Sequence, residues 1–293
     1  MIIGSVVPFN FLVQAGAAEL YNYQTGQVEN QSCAQSGVDD QNYRQATSSK
    51  KHFYSGGWSL TLGVSGAVGP KYDGSSSYEF QGEPEFSLDK AGEVEPFSSR
   101  NDNPSITLFG WQRFSMGLVG KIITQRDSDT SRDLRGLSTV KWGGEIGGFA
   151  MLYPIDGLRL YGELRHGIRS HSATTADLAA DLYQNITPKV QVSAGPRAFY
   201  ATKDYFKTYY GVSNSQSLET GLSPYDPDGG WGAIGLGGAV TWKTTDKITT
   251  SLFGEYSRLR GPAADSSLVE QRGSKDQLTV GISASYRFDF NLR

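Results

Sequence analysis

From Leu278 to Phe290 the chain alternates strictly between two kinds of side chain. Leu278, Val280, Ile282, Ala284, Tyr286, Phe288 and Phe290 share one parity, while Thr279, Gly281, Ser283, Ser285, Arg287 and Asp289 share the other. Successive side chains of a strand point to opposite faces, so this segment is a strand with one apolar and one polar face. It is far longer than the roughly 5–6 residues of an ordinary strand and reaches the ~9–11 that a tilted strand needs to cross a bilayer.

The pattern repeats. Trp58, Leu60, Leu62, Val64 and Val68 oppose Ser59, Thr61, Gly63, Ser65 and Ala67; Leu158, Leu160, Leu164 and Ile168 oppose Arg159, Tyr161, Glu163, Arg165 and Arg169. Val190, Val192, Ala194 and Tyr200 oppose Lys189, Gln191, Ser193 and Arg197, and in 230–244 Ile234, Leu236, Val240 and Trp242 keep one parity. Arginine and glutamate in mid-strand do not suit a sandwich core. They suit the lumen of a transmembrane antiparallel β-barrel, whose outer wall is apolar. A soluble sandwich with one wet face is the alternative.

The spacing predicts strands near 58–68, 77–88, 92–100, 104–111, 113–125, 139–153, 157–169, 174–185, 188–202, 230–244, 247–259 and 275–290. That makes about twelve, with ten as the lower count because Glu79, Glu83, Glu85, Glu93 and Glu95 blur the alternation over 77–111. The connections 69–76, 126–138, 203–229 and 260–274 are long and follow odd-numbered strands; those after even-numbered strands are tight turns. Outer-membrane barrels pair short periplasmic turns with longer outer loops. A first strand that rises then leaves both termini in the periplasm.

Composition agrees. Glycine is abundant at 36 residues, Tyr and Phe number 16 and 14, and charged residues are only 19%. A net charge of -3 offers no basic field for nucleic acid. The single cysteine, Cys33, excludes an internal disulfide, and with three histidines neither a Cys- nor a His-rich metal site is expected. No cofactor is expected either. Residues 1–18, apolar and ending Ala15-Gly16-Ala17-Ala18, read as a secretory signal without its basic start. Residues 19–56 read as a polar periplasmic arm, and 57–293 as the barrel.

Several segments carry a family resemblance. They are Asp204-Tyr205-Phe206-Lys207-Thr208-Tyr209-Tyr210-Gly211-Val212-Ser213, Gln216-Ser217, Gly221-Leu222-Ser223-Pro224-Tyr225-Asp226, and Tyr256-Ser257-Arg258-Leu259-Arg260-Gly261. Ala263 to Val269, Arg272-Gly273-Ser274, Tyr286-Arg287-Phe288, Gly69 to Ser75 and Leu134-Arg135-Gly136-Leu137 add to it. Together, over about 57–290, they resemble the MipA/OmpV family of outer-membrane proteins. Two departures stand out: the acidic 79–95 stretch replaces the family's proline-rich second strand, and five residues follow Phe288. The resemblance implies a barrel in contact with outer-membrane lipid and tied to cell-wall metabolism. One member is described as a scaffold joining a membrane-bound lytic transglycosylase to a bifunctional penicillin-binding protein; others are associated with adhesion, antibiotic uptake or stress response.

No catalytic constellation emerges. His171 and Ser172 are adjacent, so on an extended segment they point apart and cannot form a nucleophile–base pair. Asp127, Asp129, Asp204, Asp226 and Asp228 read as solvated loop carboxylates. The inward set Glu145, Arg159, Glu163, Arg165, Arg169, Arg197, Glu255 and Arg287 leaves two readings open. The charges either pair with one another and close the lumen, or ring a narrow polar channel for small solutes or antibiotics. In the long loop, Tyr205, Phe206, Tyr209, Tyr210 and Tyr225 are candidates for a plug over the barrel mouth, or for an aromatic belt at the membrane interface.

Overall fold

A computed structural model of the chain describes residues 11–13, 56–90, 97, 99, 102–111 and 113–292. The strands are β1 (Phe11–Val13), β2 (Gly56–Pro70), β3 (Tyr78–Lys90), β4 (Ser105–Trp111), β5 (Phe114–Ile123) and β6 (Gly143–Ile155). They continue as β7 (Leu158–Ile168), β8 (Thr174–Thr187), β9 (Val190–Ala201), β10 (Gly230–Lys243), β11 (Ile248–Leu259) and β12 (Asp276–Leu292). The sheet has twelve strands in the order β1-β3-β2-β12-β11-β10-β9-β8-β7-β6-β5-β4. From β2 to β12 every pairing is antiparallel, and β12 pairs with β2 along thirteen positions from Val280↔Val68 to Leu292↔Gly56. The last strand thus meets the first long one, as a barrel requires.

The twelfth strand is not the one the spacing predicts. The strand expected over 92–100 falls largely outside the described residues. Phe97 and Ser99 are described, and they lie buried inside the barrel without strand pairing. The ring of Phe97 stacks on Tyr183 at 4.8 Å and its carbonyl accepts from the Tyr153 hydroxyl at 3.0 Å. Instead, Phe11–Val13 pairs in parallel with Phe86, Ser87 and Leu88 of β3. The arm expected over 19–56 lies outside the described residues, save Gly56, which opens β2.

The alternation of β12 is realised as a difference in environment: Ile282 is 65% exposed and Ser283 beside it 8%. The same holds around the sheet, where Leu62, Leu118, Ile146, Leu164, Leu178, Leu236 and Leu252 all face outward. Moving one such side chain out of water is worth roughly 1.5–3 kcal/mol. A belt of them is tolerable only if lipid, rather than water, covers it. Long antiparallel pairing satisfies the strands' backbone groups without help from solvent. No helix among the described residues is long and apolar enough to cross a membrane.

The two ends differ. Short turns join β4 to β5, β6 to β7, β8 to β9 and β10 to β11. At the opposite end the connections fold into a cap containing a 3-10 turn (Arg132–Leu134) and four helices, α1 (Lys203–Tyr210), α2 (Asn214–Thr220), α3 (Gly261–Ala264) and α4 (Ser267–Arg272). In α1, residues 205, 206, 209 and 210 are aromatic and fall on one helical face. Phe206, Tyr209 and Tyr210 pack there against Ile123, Val140, Leu259, Ala263 and Val269. A second cluster joins Tyr72, Leu134, Val212, Leu222 and Leu268. Ser213 and Gln216 form a capping box on α2, and Gly221 ends it in the left-handed conformation. Hydroxyls stitch the pieces together: Ser266 donates to the Tyr210 carbonyl at 2.7 Å, Ser267 to that of Ser223 at 2.6 Å, and Tyr225 to that of Pro262 at 3.0 Å.

Candidate functional site

β7 positions the interior chemistry. Period two turns Arg159, Tyr161, Glu163 and Arg165 inward, and the register sets Arg159 opposite Asp181 and Glu163 opposite Asp177 on β8. Arg159 and Arg165 are each 1% exposed. Charges buried to that degree are tolerable only when paired.

Toward the cap, Arg165 donates from Nε to Glu145 at 2.6 Å, pairs through Nη2 with Asp177 at 2.7 Å and contacts Glu163 through Nη1. Glu145 also accepts from Thr175 at 3.2 Å and meets His171 Nε2 at 3.0 Å. The Nδ1 of His171 accepts the Ala173 N–H at 3.2 Å, so a neutral ring carries its proton on Nε2 and donates to Glu145. Gly167 makes room for this ring; a Cβ there would overlap the imidazole. Above it, His171 meets the edges of Tyr205 and Tyr209 of α1 at 5.4 and 5.8 Å.

Toward the turns, Arg159 bonds Asp181 at 3.1 Å, Asp102 at 2.6 Å and the Met151 sulfur at 3.0 Å, and its guanidinium lies 4.5 Å from the Tyr161 ring centroid. Arg197, half-buried, shares Asp181 and donates to Ser99 at 3.2 Å. Glu163 links the two layers, accepting from Tyr161 at 2.6 Å and from Asn103 at 2.5 Å. Asp102 and Asn103 belong to the segment that turns into the lumen after β3. Nothing in the strand pattern marks them as partners.

The remaining members of the inward set lie elsewhere. Glu255, half-buried on β11, lines a cavity of about 310 Å³ that also borders the network, with Glu163, Asp177 and Arg197 in its walls and Tyr205, Phe206 and Tyr210 among its aromatic lining. Arg287 is exposed and pairs with Asp289 at 3.1 Å. Arg169 leaves the inward set altogether. Its φ of 74° breaks the alternation at the end of β7, and its guanidinium stacks 5.4 Å from the exposed Trp142 ring. Of the loop aromatics, Phe206, Tyr209 and Tyr210 are buried in the cap core, while Tyr205 and Tyr225 are half-buried against it. Burial pushes the phenols of Tyr205, Tyr209 and Tyr210 up, and that of Tyr72 up to about 12.

Residues 62–288 match the model of the family described as MltA-interacting protein MipA. The chain belongs to the MipA family. As a family member with a lipid-facing belt around a β-barrel, it is a protein of the outer membrane. Solved structures similar to it include neisserial surface protein A (8% identity, 79% of this chain and 97% of that one, TM-score 0.26). Others are the NanC porin (11%, 77% and 98%, 0.34) and OmpT of Vibrio cholerae (7%, 79% and 98%, 0.35). No curated protein sequence matches.

Proposed function

We propose that this MipA-family chain is a non-enzymatic scaffold in the outer membrane, holding a lytic transglycosylase and a penicillin-binding protein of the periplasm near one another. One observation carries the reading: the buried lumen arginines are consumed by Asp102, Glu145, Glu163, Asp177 and Asp181, beneath a cap with its own core. An interior spent on internal pairing leaves the barrel's surfaces to act. The family's name, MltA-interacting protein, supports a transglycosylase as one partner. Partners in the periplasm engage the turn end, where Arg113 and Asp156 link two neighbouring turns at 2.9 Å, or residues 19–56. Envelope extracts passed over the purified barrel, with and without 19–56, test this. Co-purification of both enzyme classes with the full chain is expected, and failure of both to co-purify with either form refutes the scaffold.

The cavity of about 310 Å³ favours a second reading, a narrow channel for small polar solutes closed by the loop 203–229. Current through planar bilayers separates the two.

A further inference from the structure

Arg169 sits at the centre of a three-residue turn in which the Ser170 N–H donates to the Ile168 carbonyl at 3.0 Å. With φ at 74° this is the strained form of the γ-turn, and Arg169 is the one non-glycine residue with positive φ among the described residues. Gly143 on the neighbouring strand permits it, because a Cβ there would overlap the backbone of Ile168 and Ser170. Without the turn, Arg169 would follow Arg165 into the lumen. With it, the guanidinium lies on the outer face of the barrel over Trp142, which is 55% exposed. Immediately toward the membrane centre lie Ile168 and Ile146, outward and exposed, so the pair stands where the apolar belt ends. His166 is exposed and shares the outward parity of Ile168. Among the described residues no carboxylate forms an ion pair with Arg169 or His166. Strain held in place around an unpaired, outward guanidinium at such a boundary signals use rather than packing.

We infer that Arg169 and Trp142 form a site for the phosphate of a membrane lipid headgroup, with the acyl chains lying along Ile146 and Ile168. The lipid is the source because the guanidinium stands at the edge of the lipid-facing wall, beside an interfacial tryptophan. This site is independent of the scaffold role.

The test uses the full chain in neutral detergent, titrated with lipid A carrying its phosphates and followed by native mass spectrometry. Wild type is expected to retain the lipid, to bind dephosphorylated lipid A more weakly, and to keep its lipid when inorganic phosphate is added. Arg169→Asn tolerates the positive φ and removes the charge. It should keep the heat-modifiable mobility of the wild type while binding the lipid about fivefold more weakly. Arg169→Gly relieves the strain, so it should fold at least as well and lose the lipid equally. Equal retention by both variants, indifference to the phosphates, or displacement by inorganic phosphate would each overturn the proposal.

Discussion

Arg165 and Glu145 meet at 2.6 Å from neighbouring strands, and both side chains are almost wholly shielded from solvent. The same arginine is contacted by Glu163 and Asp177, and the same glutamate by His171 and Thr175. The pair is therefore the hub of a network reaching from β6 through β7 and β8 to the underside of the cap. Removing one member strands the others.

Arg165→Met leaves three carboxylates facing each other without their cation. A loss of roughly 3–5 kcal/mol is expected for one broken buried partner. It appears as a lower temperature for the heat-modifiable gel shift. Adding Glu145→Gln to that variant should restore part of the loss, because the second change removes one of the uncompensated charges. The double variant should therefore fall short of the sum of the singles. Strict additivity would show that the two residues are not coupled.

The cap is a helical layer packed on the ends of the strands. Phe206 is fully buried between α1 and its neighbours, and Phe206→Ala opens a cavity of the kind that costs about 3–5 kcal/mol in a core. Because its contacts lie in the cap and at the cap-side ends of β5, β9 and β11, far from the turn end, trypsin should cut faster at Lys203 and Lys207, while the gel shift of the barrel stays in place. A barrel that unfolds together with the cap would contradict this division.

Tyr72 gives the cap a dependence on alkali. Burial raises its phenol from the ordinary 10.0 to about 12, and Tyr210 beneath the same loops is pushed up as well. The folded cap holds these protons more tightly than the unfolded chain does. Their contribution is thus fully present below pH ~10 and is lost as pH rises through about 12. Cap proteolysis should stay slow to pH ~10 and quicken above it, in step with tyrosinate absorbance. Tyr72→Phe, which keeps the ring and removes the ionisable hydroxyl, should move the onset upward.

The wall was legible because lipid on one side and a polar lumen on the other impose period two along every strand. The segment read as 157–169 is β7 at Leu158–Ile168, and 174–185 is β8 at Thr174–Thr187. What that period does not encode was not legible. Arg169 carries no glycine signature for positive φ, so parity places it in the lumen, and only the γ-turn sends it out. Asp102 and Asn103 reach Arg159 and Glu163 from a segment outside any repeat. Tyr205, Phe206, Tyr209 and Tyr210 stand out by composition, yet an eight-residue helix is too short to announce itself. Helices of that length are held by tertiary packing rather than by propensity.

Asp181 decides whether the lumen can be made to conduct. It holds two arginines at once, Arg159 at 3.1 Å and Arg197 on the neighbouring strand. The intact chain should pass no discrete current in a planar bilayer, since both arginines are neutralised and the cap lies over the cavity. Shortening 203–229 removes the cap but not the pairing, so the scaffold reading expects the barrel to stay silent. Adding Asp181→Asn to the shortened form leaves Arg159 held by Asp102 but takes the carboxylate from Arg197, inside a low-dielectric wall where fixed charge sets which ions enter. If steps then appear, they should favour anions, and Arg197→Gln should abolish that preference. Steps of steady size from the shortened chain alone, with Asp181 intact, would mean that the lumen is open beneath its cap. The channel would then be the function, and the internal pairs its selectivity filter.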